Sequence, residues 1–267
     1  MHYDPIKKPL GKFFNAAPFL RILFYKLLDL LLLRAWHIYL ELQKWAERKQ
    51  NIVHILDAGS GFGQYTYYLS KNKNWNIKAL DVKVDQVSDC NKFFNEMGIK
   101  NVVFKIADLT KYKEENAYDL ILCVDVMEHI EEDVLVFKNF YASLKTGGML
   151  LISTPSDQGG SDVHSENDTS FIEEHVRDGY NINDIQEKLK SAGFSKVYAR
   201  YSYGTPGKIS WRLSMKYPIL LLGISKLFFV FLPFYYLIAY PVSFALNYID
   251  TRTVHETGTG LIVKAWK

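Results

Sequence analysis

Cysteine is scarce in this chain of 267 residues, which contains only Cys90 and Cys123. Two cysteines exclude a disulfide framework and a cysteine-based zinc site, and they fit a reducing compartment. A strong charge of one sign is also absent, because 32 basic and 29 acidic side chains leave a net charge of +3. That balance alone gives no argument for nucleic-acid binding. The 48% hydrophobic and 23% charged residues are typical of a globular protein with a core.

Proline and glycine are absent from residues 19–50, where leucine and charged residues dominate. This composition predicts one or two amphipathic helices, which form an N-terminal helical segment over residues 1–50. The apolar run 27–33 is interrupted by Asp29, and no small-residue cleavage site follows it. We therefore expect no signal peptide.

The centre of the chain alternates short apolar runs with helical patterns. Strands that alternate with helices of this length form right-handed β-α-β units. The pattern predicts a Rossmann-like α/β fold with a seven-stranded, mostly parallel sheet, built from residues 51–204 and 250–267. The predicted strands are 52–56, 77–80, 102–106, 118–124, 149–153, 194–203 and 258–266.

A glycine-rich turn, DAGSGFG at 57–63, follows the first predicted strand and opens a helix. Glycine lets a backbone approach a ligand closely, and a helix N-terminus offers free N–H groups. The dinucleotide fingerprint G-x-G-x-x-G does not fit, because Gln64 and Thr66 stand where its third glycine would be. A P-loop is excluded as well, since no G-x-x-x-x-G-K-[ST] occurs.

Four acids end successive predicted strands: Asp57, Asp81, Asp108 and Asp125. Ligands of doubly wound sheets bind at the carboxyl ends of the strands. There, Asp81 can accept both hydroxyls of a ribose, and Asp108 can accept an adenine amino group. Each acid alone has an ordinary alternative role as a helix cap or loop carboxylate. Four of them in successive strands favour a nucleoside site.

The glycine-rich turn, the acids that end the strands and the segments between them resemble, in their order along the chain, class I S-adenosylmethionine-dependent methyltransferases. The resemblance is to the subgroup that contains the ubiquinone and menaquinone methyltransferases. The resemblance covers roughly 51–203 and the last strand, and it implies S-adenosyl-L-methionine as the cofactor. It is carried by ILDAGSGFG (55–63), ALDV (79–82), IADL (106–109), YDLILCVDVMEHI (118–130), LKTGGMLLISTP (144–155) and EHVRDGYNINDIQEKLKSAGF (174–194).

The resemblance also implies roles for the matching residues in binding the cofactor. Asp57, Gly59 and Gly61 would contact the methionine part of the cofactor. Asp81 would hold the ribose, with Val82 beside the adenine. Asp108 and Leu109 would bind the adenine, and Asp125 would lie near the methionine amino group.

Three histidines are candidates for a catalytic base, because histidine titrates near neutral pH. Methyl transfer from a sulfonium is an in-line displacement, so a base is needed only when the acceptor is a poor nucleophile such as a hydroxyl. His129 and His175 lie in motifs that relatives share, and His164 lies in a polar loop that would act as a lid. Alternatively, His129 packs its loop, His175 ties its loop down and His164 is merely exposed. No metal site is predicted.

An apolar insertion, residues 205–249, separates the last two predicted strands. Residues 227–249 carry no charge over 23 positions, which is spanning length. The flanking strands belong to one sheet, so we expect the chain to return to the same side. Pro218, Pro233 and Pro241 predict several short helices. The interpretation is a monotopic element on anionic headgroups. The alternatives are a cap over a hydrophobic pocket and a homodimer interface.

These features predict a cytoplasmic, peripheral membrane enzyme that methylates a hydrophobic small molecule: a quinone-like compound, a polyene or polyketide aromatic, or a lipid. The alternative is a membrane-docked binding or scaffold protein with a catalytically degenerate methyltransferase domain. Nucleic acid is not an expected partner, because DVME at 125–128 stands where base methyltransferases carry [ND]PPY. The net charge divides into +5 in 1–50, +4 in 205–249 and −6 elsewhere. Both basic appendages are therefore expected to face one anionic surface.

Overall fold

The computed structural model describes residues 17–47, 52–159, 176–225 and 227–267. Its seven strands form one sheet in the order β3-β2-β1-β4-β5-β7-β6. Strands β1 to β5 are parallel to one another, and β7 is antiparallel to both β5 and β6. The predicted Rossmann-like, mostly parallel sheet is confirmed. The strands are β1 Val53–Ala58, β2 Trp75–Asp81, β3 Val102–Ile106, β4 Tyr118–Val124, β5 Leu144–Pro155, β6 Lys196–Ser202 and β7 Gly260–Trp266.

Nine α-helices occur in the part of the chain that the structure describes. A π-helical segment, Arg212–Lys216, joins the seventh and eighth helices, and a 3-10 turn, Met127–His129, follows β4. The helices are α1 Pro18–Leu31, α2 Leu33–Ala46, α3 Gln64–Ser70, α4 Val84–Glu96, α5 Asp133–Ser143, α6 Ile182–Ser191, α7 Thr205–Trp211, α8 Tyr217–Ile224 and α9 Phe228–Arg252.

Helices cover both faces of the sheet, which explains why its central strands read as continuous apolar runs. Successive residues of β1 point to opposite faces. Ile55 lies in a core cluster with α2 and α3, whereas Leu56 lies in a second cluster with α5 and α6. A third cluster packs Tyr25 of α1 against Phe93 of α4.

The sheet topology places the insertion at a defined edge. Because β7 is antiparallel to both neighbours, β6 runs parallel to β5, and their carboxyl ends lie together. Gly260 pairs with Pro155 on one side and with Ser202 on the other. The chain that leaves β6 after Ser202 therefore starts at the edge where β1, β2 and β4 also end.

The insertion is a helical hairpin. We call residues 205–252 the apolar hairpin; α7, the π segment and α8 form its first arm and α9 its second. Its base is tied to the fold by the buried Asp250, which accepts hydrogen bonds from His37 Nε2 at 2.9 Å and from the Gly207 amide at 2.9 Å. The prediction of several short helices was wrong for the second arm, because Pro233 and Pro241 lie inside α9.

Pro218 has its effect in the first arm. Proline has no N–H, so Pro218 cannot donate to the Ser214 carbonyl one turn earlier. The next amide upstream, of Tyr217, donates to Arg212 and not to Leu213, which produces the π turn. The second arm satisfies both freed carbonyls: the Tyr236 hydroxyl donates to Ser214 O at 2.7 Å and the Tyr235 hydroxyl to Leu213 O at 2.6 Å. The arms are therefore joined by specific hydrogen bonds.

Helix α9 is long and apolar enough to cross a membrane, and it is the one helix of the described residues that meets this criterion. Length and composition alone do not separate such a helix from the core helix of a soluble protein. Burial separates the two cases, because a core helix is mostly buried, whereas only 11% of the most apolar 18-residue window of α9 is buried inside the protein.

Candidate active site

The glycine-rich turn after β1 uses a left-handed backbone at Gly59, Gly61 and Gly63, with φ of 83°, 51° and 78°. Such φ values favour glycine. A Cβ on Gly59 would lie 2.2 Å from Val126 Cγ2, so this residue must be small to let the loop after β4 approach. A Cβ on Gly61 would meet nothing within 4 Å. The turn is therefore closed against the protein at Gly59 and open at Gly61.

Two of the predicted acids hold this turn. Asp81, at the end of β2, accepts the Gly61 amide at 2.9 Å through Oδ2 and the Lys83 amide at 2.9 Å through Oδ1. Asp57 is buried and accepts a hydrogen bond from the Thr66 hydroxyl. Burial raises the pKa of Asp57 to about 7; the nearby Asp81 carboxylate adds to this, and the Thr66 hydrogen bonds oppose it.

The residues predicted to meet adenine differ in exposure. Asp108 lies on the surface after β3 and accepts the Thr110 amide at 2.9 Å and the Thr110 hydroxyl at 2.7 Å. These hydrogen bonds hold the pKa of Asp108 below its usual value. Val82 is exposed beside Asp81, so its side chain is available as an apolar wall. The Leu109 side chain is buried in the core instead.

Asp125, which follows β4, forms an ion pair with the guanidinium of Arg34 from α2. The Arg34 amide donates to the Tyr203 hydroxyl at 3.0 Å, which ties α2 to the end of β6. Sequence reasoning treated Arg34 only as a charge in an amphipathic helix. A carboxylate beside a guanidinium offers complementary partners for the amino and carboxylate groups of an amino-acid ligand.

The 3-10 turn after β4 carries the remaining described candidate, His129, which is exposed at the same sheet edge. Its neighbour Glu128 is buried and accepts the Thr154 hydroxyl at 3.1 Å. Burial raises the pKa of the Glu128 carboxyl. His164 and His175 lie outside the described residues. The chain is described again from Val176, whose amide donates to the Glu128 carbonyl at 3.0 Å.

Arg177 fixes the chain beside this turn. Its guanidinium donates to the Ile130 carbonyl at 2.8 Å and pairs with Asp133 at the start of α5. Lys188 Nζ of α6 binds the same Asp133 carboxylate at 2.9 Å. Sequence reasoning placed Arg177 in a shared motif without a role. The structure shows that Arg177, together with the Val176 amide, holds the 176–180 segment against the loop of His129.

The residues at this edge fit a nucleoside that carries a charged amino-acid tail. The turn is open at Gly61, and the buried Ser60 hydroxyl has no hydrogen-bond partner among the described residues. Carboxylates stand at the ends of β1, β2, β3 and β4, and a guanidinium lies beside the last of them. The described ranges contain no group of three or more metal-ligating residues. Which of the predicted residues touch the ligand remains a prediction.

Comparison with known proteins identifies the family. The profile of the methyltransferase domain family matches residues 49–197, more than half of the chain. The solved structure of Haemonchus contortus phosphoethanolamine N-methyltransferase 2, in complex with S-adenosyl-L-methionine, superposes with a TM-score of 0.62 at 19% identity. The superposition covers 87% of this chain and 52% of that one.

The curated relatives come from several methyltransferase subgroups. A Triticum aestivum phosphoethanolamine N-methyltransferase is 31% identical over 147 residues, which cover 54% of this chain and 28% of the relative. A Rickettsia felis ubiquinone biosynthesis O-methyltransferase is 28% identical over only 102 residues, or 38% of this chain and 41% of the relative. The chain thus spans less than half the length of either relative, and the likeness to the quinone subgroup is the weaker one. The chain belongs to the methyltransferase domain family, and it is an enzyme whose cofactor is S-adenosyl-L-methionine.

Proposed function

We propose that this enzyme methylates a hydrophobic small molecule at the surface of a lipid bilayer, as a peripheral protein of the cytoplasmic side. The observation that carries the proposal is the apolar hairpin, which leaves the sheet at the edge of the glycine-rich turn of residues 57–63 (the cofactor turn) and exposes apolar side chains along its length. Four large aliphatic residues there, Ile224, Leu227, Leu237 and Ile238, are each at least 73% exposed. Contiguous exposed apolar surface of this kind marks a binding or membrane surface.

The length of the free part of α9 supports insertion into one leaflet. The first buried residue along α9 is Ala239, and every fourth residue from there to Asn247 is buried against the protein. Residues 228–238 contain no buried residue, although Tyr235 and Tyr236 bond to the first arm, and 11 helical residues are about 16 Å long. That is about half of a 30 Å hydrocarbon core. A monotopic hairpin therefore agrees with the geometry better than a full span does.

Charge along the hairpin supports an anionic surface. Lys208, Arg212 and Lys216 lie in the first arm between the sheet edge and the tip, and residues 205–249 contain no acid. Basic residues next to an apolar tip match headgroups next to hydrocarbon. An acceptor dissolved in the bilayer would then reach the cofactor edge without crossing water.

The methyl donor is a sulfonium, so the chain's task is to align an acceptor with it. For a hydroxyl acceptor a base is required, and His129 is the described candidate; His164 and His175 remain predictions. An amine acceptor attacks as the neutral base after losing its proton to water, and the Asp125 carboxylate would stabilise the positive charge that the nitrogen gains on methylation.

A second candidate acceptor is the amine of an ethanolamine phosphate, free or as a lipid headgroup. The similarity to the wheat phosphoethanolamine N-methyltransferase favours it.

The scaffold alternative is disfavoured by the intact turn, because a protein without a cofactor has no need of an opening at Gly61 or of a buried, unpaired Ser60 hydroxyl.

Methyl transfer from radiolabelled donor tests the proposal. The acceptors are phosphoethanolamine in solution, phosphatidylethanolamine vesicles, and vesicles loaded with a phenolic quinone precursor. We expect labelling of a vesicle-borne acceptor. The double variant Leu237→Glu/Ile238→Glu should abolish that labelling and vesicle flotation, whereas Val254→Glu, an exposed apolar residue outside the hairpin, should change neither.

Efficient labelling of soluble phosphoethanolamine alone, unchanged in the double variant, would replace the hydrophobic acceptor by the second candidate. Sedimentation of the vesicle-free protein tests the remaining alternative. If the double variant converts a dimer to a monomer and flotation is unaltered, the hairpin is a dimer interface and the bilayer proposal fails.

A further inference from the structure

Helix α1 has two faces of opposite character, and the inner face holds the cofactor turn. Arg21 and Tyr25 are buried there. Arg21 Nη2 donates to the Phe62 carbonyl of the turn at 2.9 Å, and Nη1 donates to the Asp89 carbonyl of α4 at 3.1 Å. The Tyr25 hydroxyl donates to the same Phe62 carbonyl. The inner face of α1 therefore restrains the backbone of the turn itself.

The outer face of α1 is an exposed apolar stripe. Phe19, Leu23, Leu27 and Leu30 recur at helical spacing and are all exposed, Phe19 to 68%. The helix thus buries Arg21 and Tyr25 while four apolar side chains face outward, which departs from the usual pattern of a surface helix. The exposed Lys26 borders the stripe on the same side of the helix.

The stripe ends where the apolar hairpin begins. The Ser214 hydroxyl of the hairpin donates to the Leu31 carbonyl at the end of α1, at 3.4 Å. Trp36 of α2 joins the two elements, since its indole N–H donates to the Leu30 carbonyl at 3.3 Å and its ring lies 4.9 Å from that of Phe244 in α9. The stripe and the hairpin therefore adjoin.

Charge on α1 selects the same kind of surface as charge on the hairpin. The single acid of α1, Asp29, points inward and accepts hydrogen bonds from Gln64 Nε2 at 2.7 Å and from the Tyr39 hydroxyl. The outward charge of α1 near the stripe is the cation of Lys26. An outer face with exposed leucines and a lysine matches an anionic, apolar interface.

We propose that the outer face of α1, formed by Phe19, Leu23, Leu27 and Leu30, is a second bilayer-docking surface. It adjoins the apolar hairpin and lays the cofactor edge of the sheet against an anionic phospholipid bilayer. The inference rests on the proposed bilayer function and deepens it, because the helix that contacts lipid on one face holds the Phe62 carbonyl of the cofactor turn on the other. Docking of α1 therefore restrains the turn, and cofactor affinity increases on anionic vesicles.

Site-specific fluorescence tests this surface. Cys90 and Cys123 are both buried, so an introduced cysteine is the accessible thiol. Leu23→Cys on α1, Ile238→Cys on the exposed side of the hairpin's second arm and Lys73→Cys at the opposite edge of the sheet are each labelled with an environment-sensitive dye. On phosphatidylcholine–phosphatidylglycerol vesicles, we expect blue shifts and quenching by lipid-borne nitroxides at positions 23 and 238, and neither at 73.

The outcomes separate this inference from the proposed function. A blue shift and nitroxide quenching at position 238 but not at position 23 overturn the α1 surface and leave the hairpin proposal standing. The absence of blue shift and quenching at both positions overturns the α1 surface and the hairpin proposal. A blue shift at 23 that needs no vesicles and increases with protein concentration shows that a second copy of the chain covers the stripe, which also overturns the inference.

A pair of substitutions gives an independent measurement. Leu23→Gln/Leu27→Gln should lower the vesicle partition coefficient by about tenfold and remove the gain in cofactor affinity on vesicles. Cofactor affinity in solution should stay unchanged, because neither leucine lies on the face that holds Phe62. Equal partition of the variant and the wild type would contradict the inference.

Discussion

The cofactor turn and the apolar hairpin differ in where their side chains find partners. In both regions, backbone groups left over from irregular geometry are paired. Asp81 accepts the amide of Gly61 in the turn, and Tyr236 donates to the carbonyl freed by Pro218 in the hairpin. The two regions differ in side-chain burial: Asp57 of the turn is buried within the protein, whereas Leu237 and Ile238 of the hairpin are exposed. Backbone pairing is thus obligatory in any solvent, whereas burial of side chains differs between the two regions.

The largest difference between the regions should be in pH dependence. Asp57 has a pKa of about 7 when folded against an ordinary 3.8, so the folded state retains a proton that the unfolded chain loses. The free energy of unfolding should fall as pH rises from about 4 to 7, by up to about 4 kcal/mol from this group. Asp57→Asn removes that contribution. Urea unfolding of both proteins in mild detergent, at several pH values, measures it; parallel pH curves would contradict it.

Glycine substitutions should separate the regions next. Gly59→Ala places a Cβ 2.2 Å from Val126 in a left-handed conformation, and we expect a loss of about 3 kcal/mol in unfolding free energy. Gly223→Ala in α8 meets nothing within 4 Å and should stabilise its helix by up to about 1 kcal/mol. Val126→Ala should restore part of the Gly59→Ala loss. Equal effects at positions 59 and 223 would show that the turn is not closed against Val126.

Cofactor affinity should depend on the turn and not on the exposed apolar residues of the hairpin. Asp81→Asn keeps the side-chain shape but removes the charge that accepts from the turn and is predicted to bind the ribose. We expect a loss of about 2 kcal/mol, or about thirtyfold in the dissociation constant for S-adenosylmethionine. Isothermal titration measures it, with Leu237→Glu/Ile238→Glu as the control of unchanged affinity in solution. Equal affinity of Asp81→Asn and the wild type would remove the ribose assignment.

The smallest effect should come from the hydrogen bonds between the hairpin arms. Tyr236→Phe leaves the Ser214 carbonyl without its donor and should cost about 1 kcal/mol of unfolding free energy in detergent. The matched control is Tyr248→Phe, at an exposed tyrosine of the same helix, which should have no effect. Equal stabilities of the two variants would show that the hydroxyl of Tyr236 does not hold the arms.

Local pattern was sufficient for much of the fold. The acids and glycines that end or follow β1, β2, β3 and β4 lie at one edge, as predicted, because parallel strands end together. Asn181 caps α6 as its sequence indicates, with its side chain accepting the Asn183 amide at 2.9 Å. The helical fate of Pro233 and Pro241 was not predictable from proline rules, because an interior proline can kink a helix without ending it, and α9 continues through both.

The sequence by itself determined the seven-stranded, mostly parallel sheet and the edge at which its glycine-rich turn and strand-ending acids lie. Periodicity and turn chemistry are local, and right-handed crossovers leave few ways to connect them. Only the tertiary structure brought Arg34 to Asp125 and His37 to Asp250, and only it showed that α1 turns its leucines outward while its arginine holds the cofactor turn. Those pairs are separated by most of a domain along the chain, and no local pattern specifies which distant group will meet a buried charge.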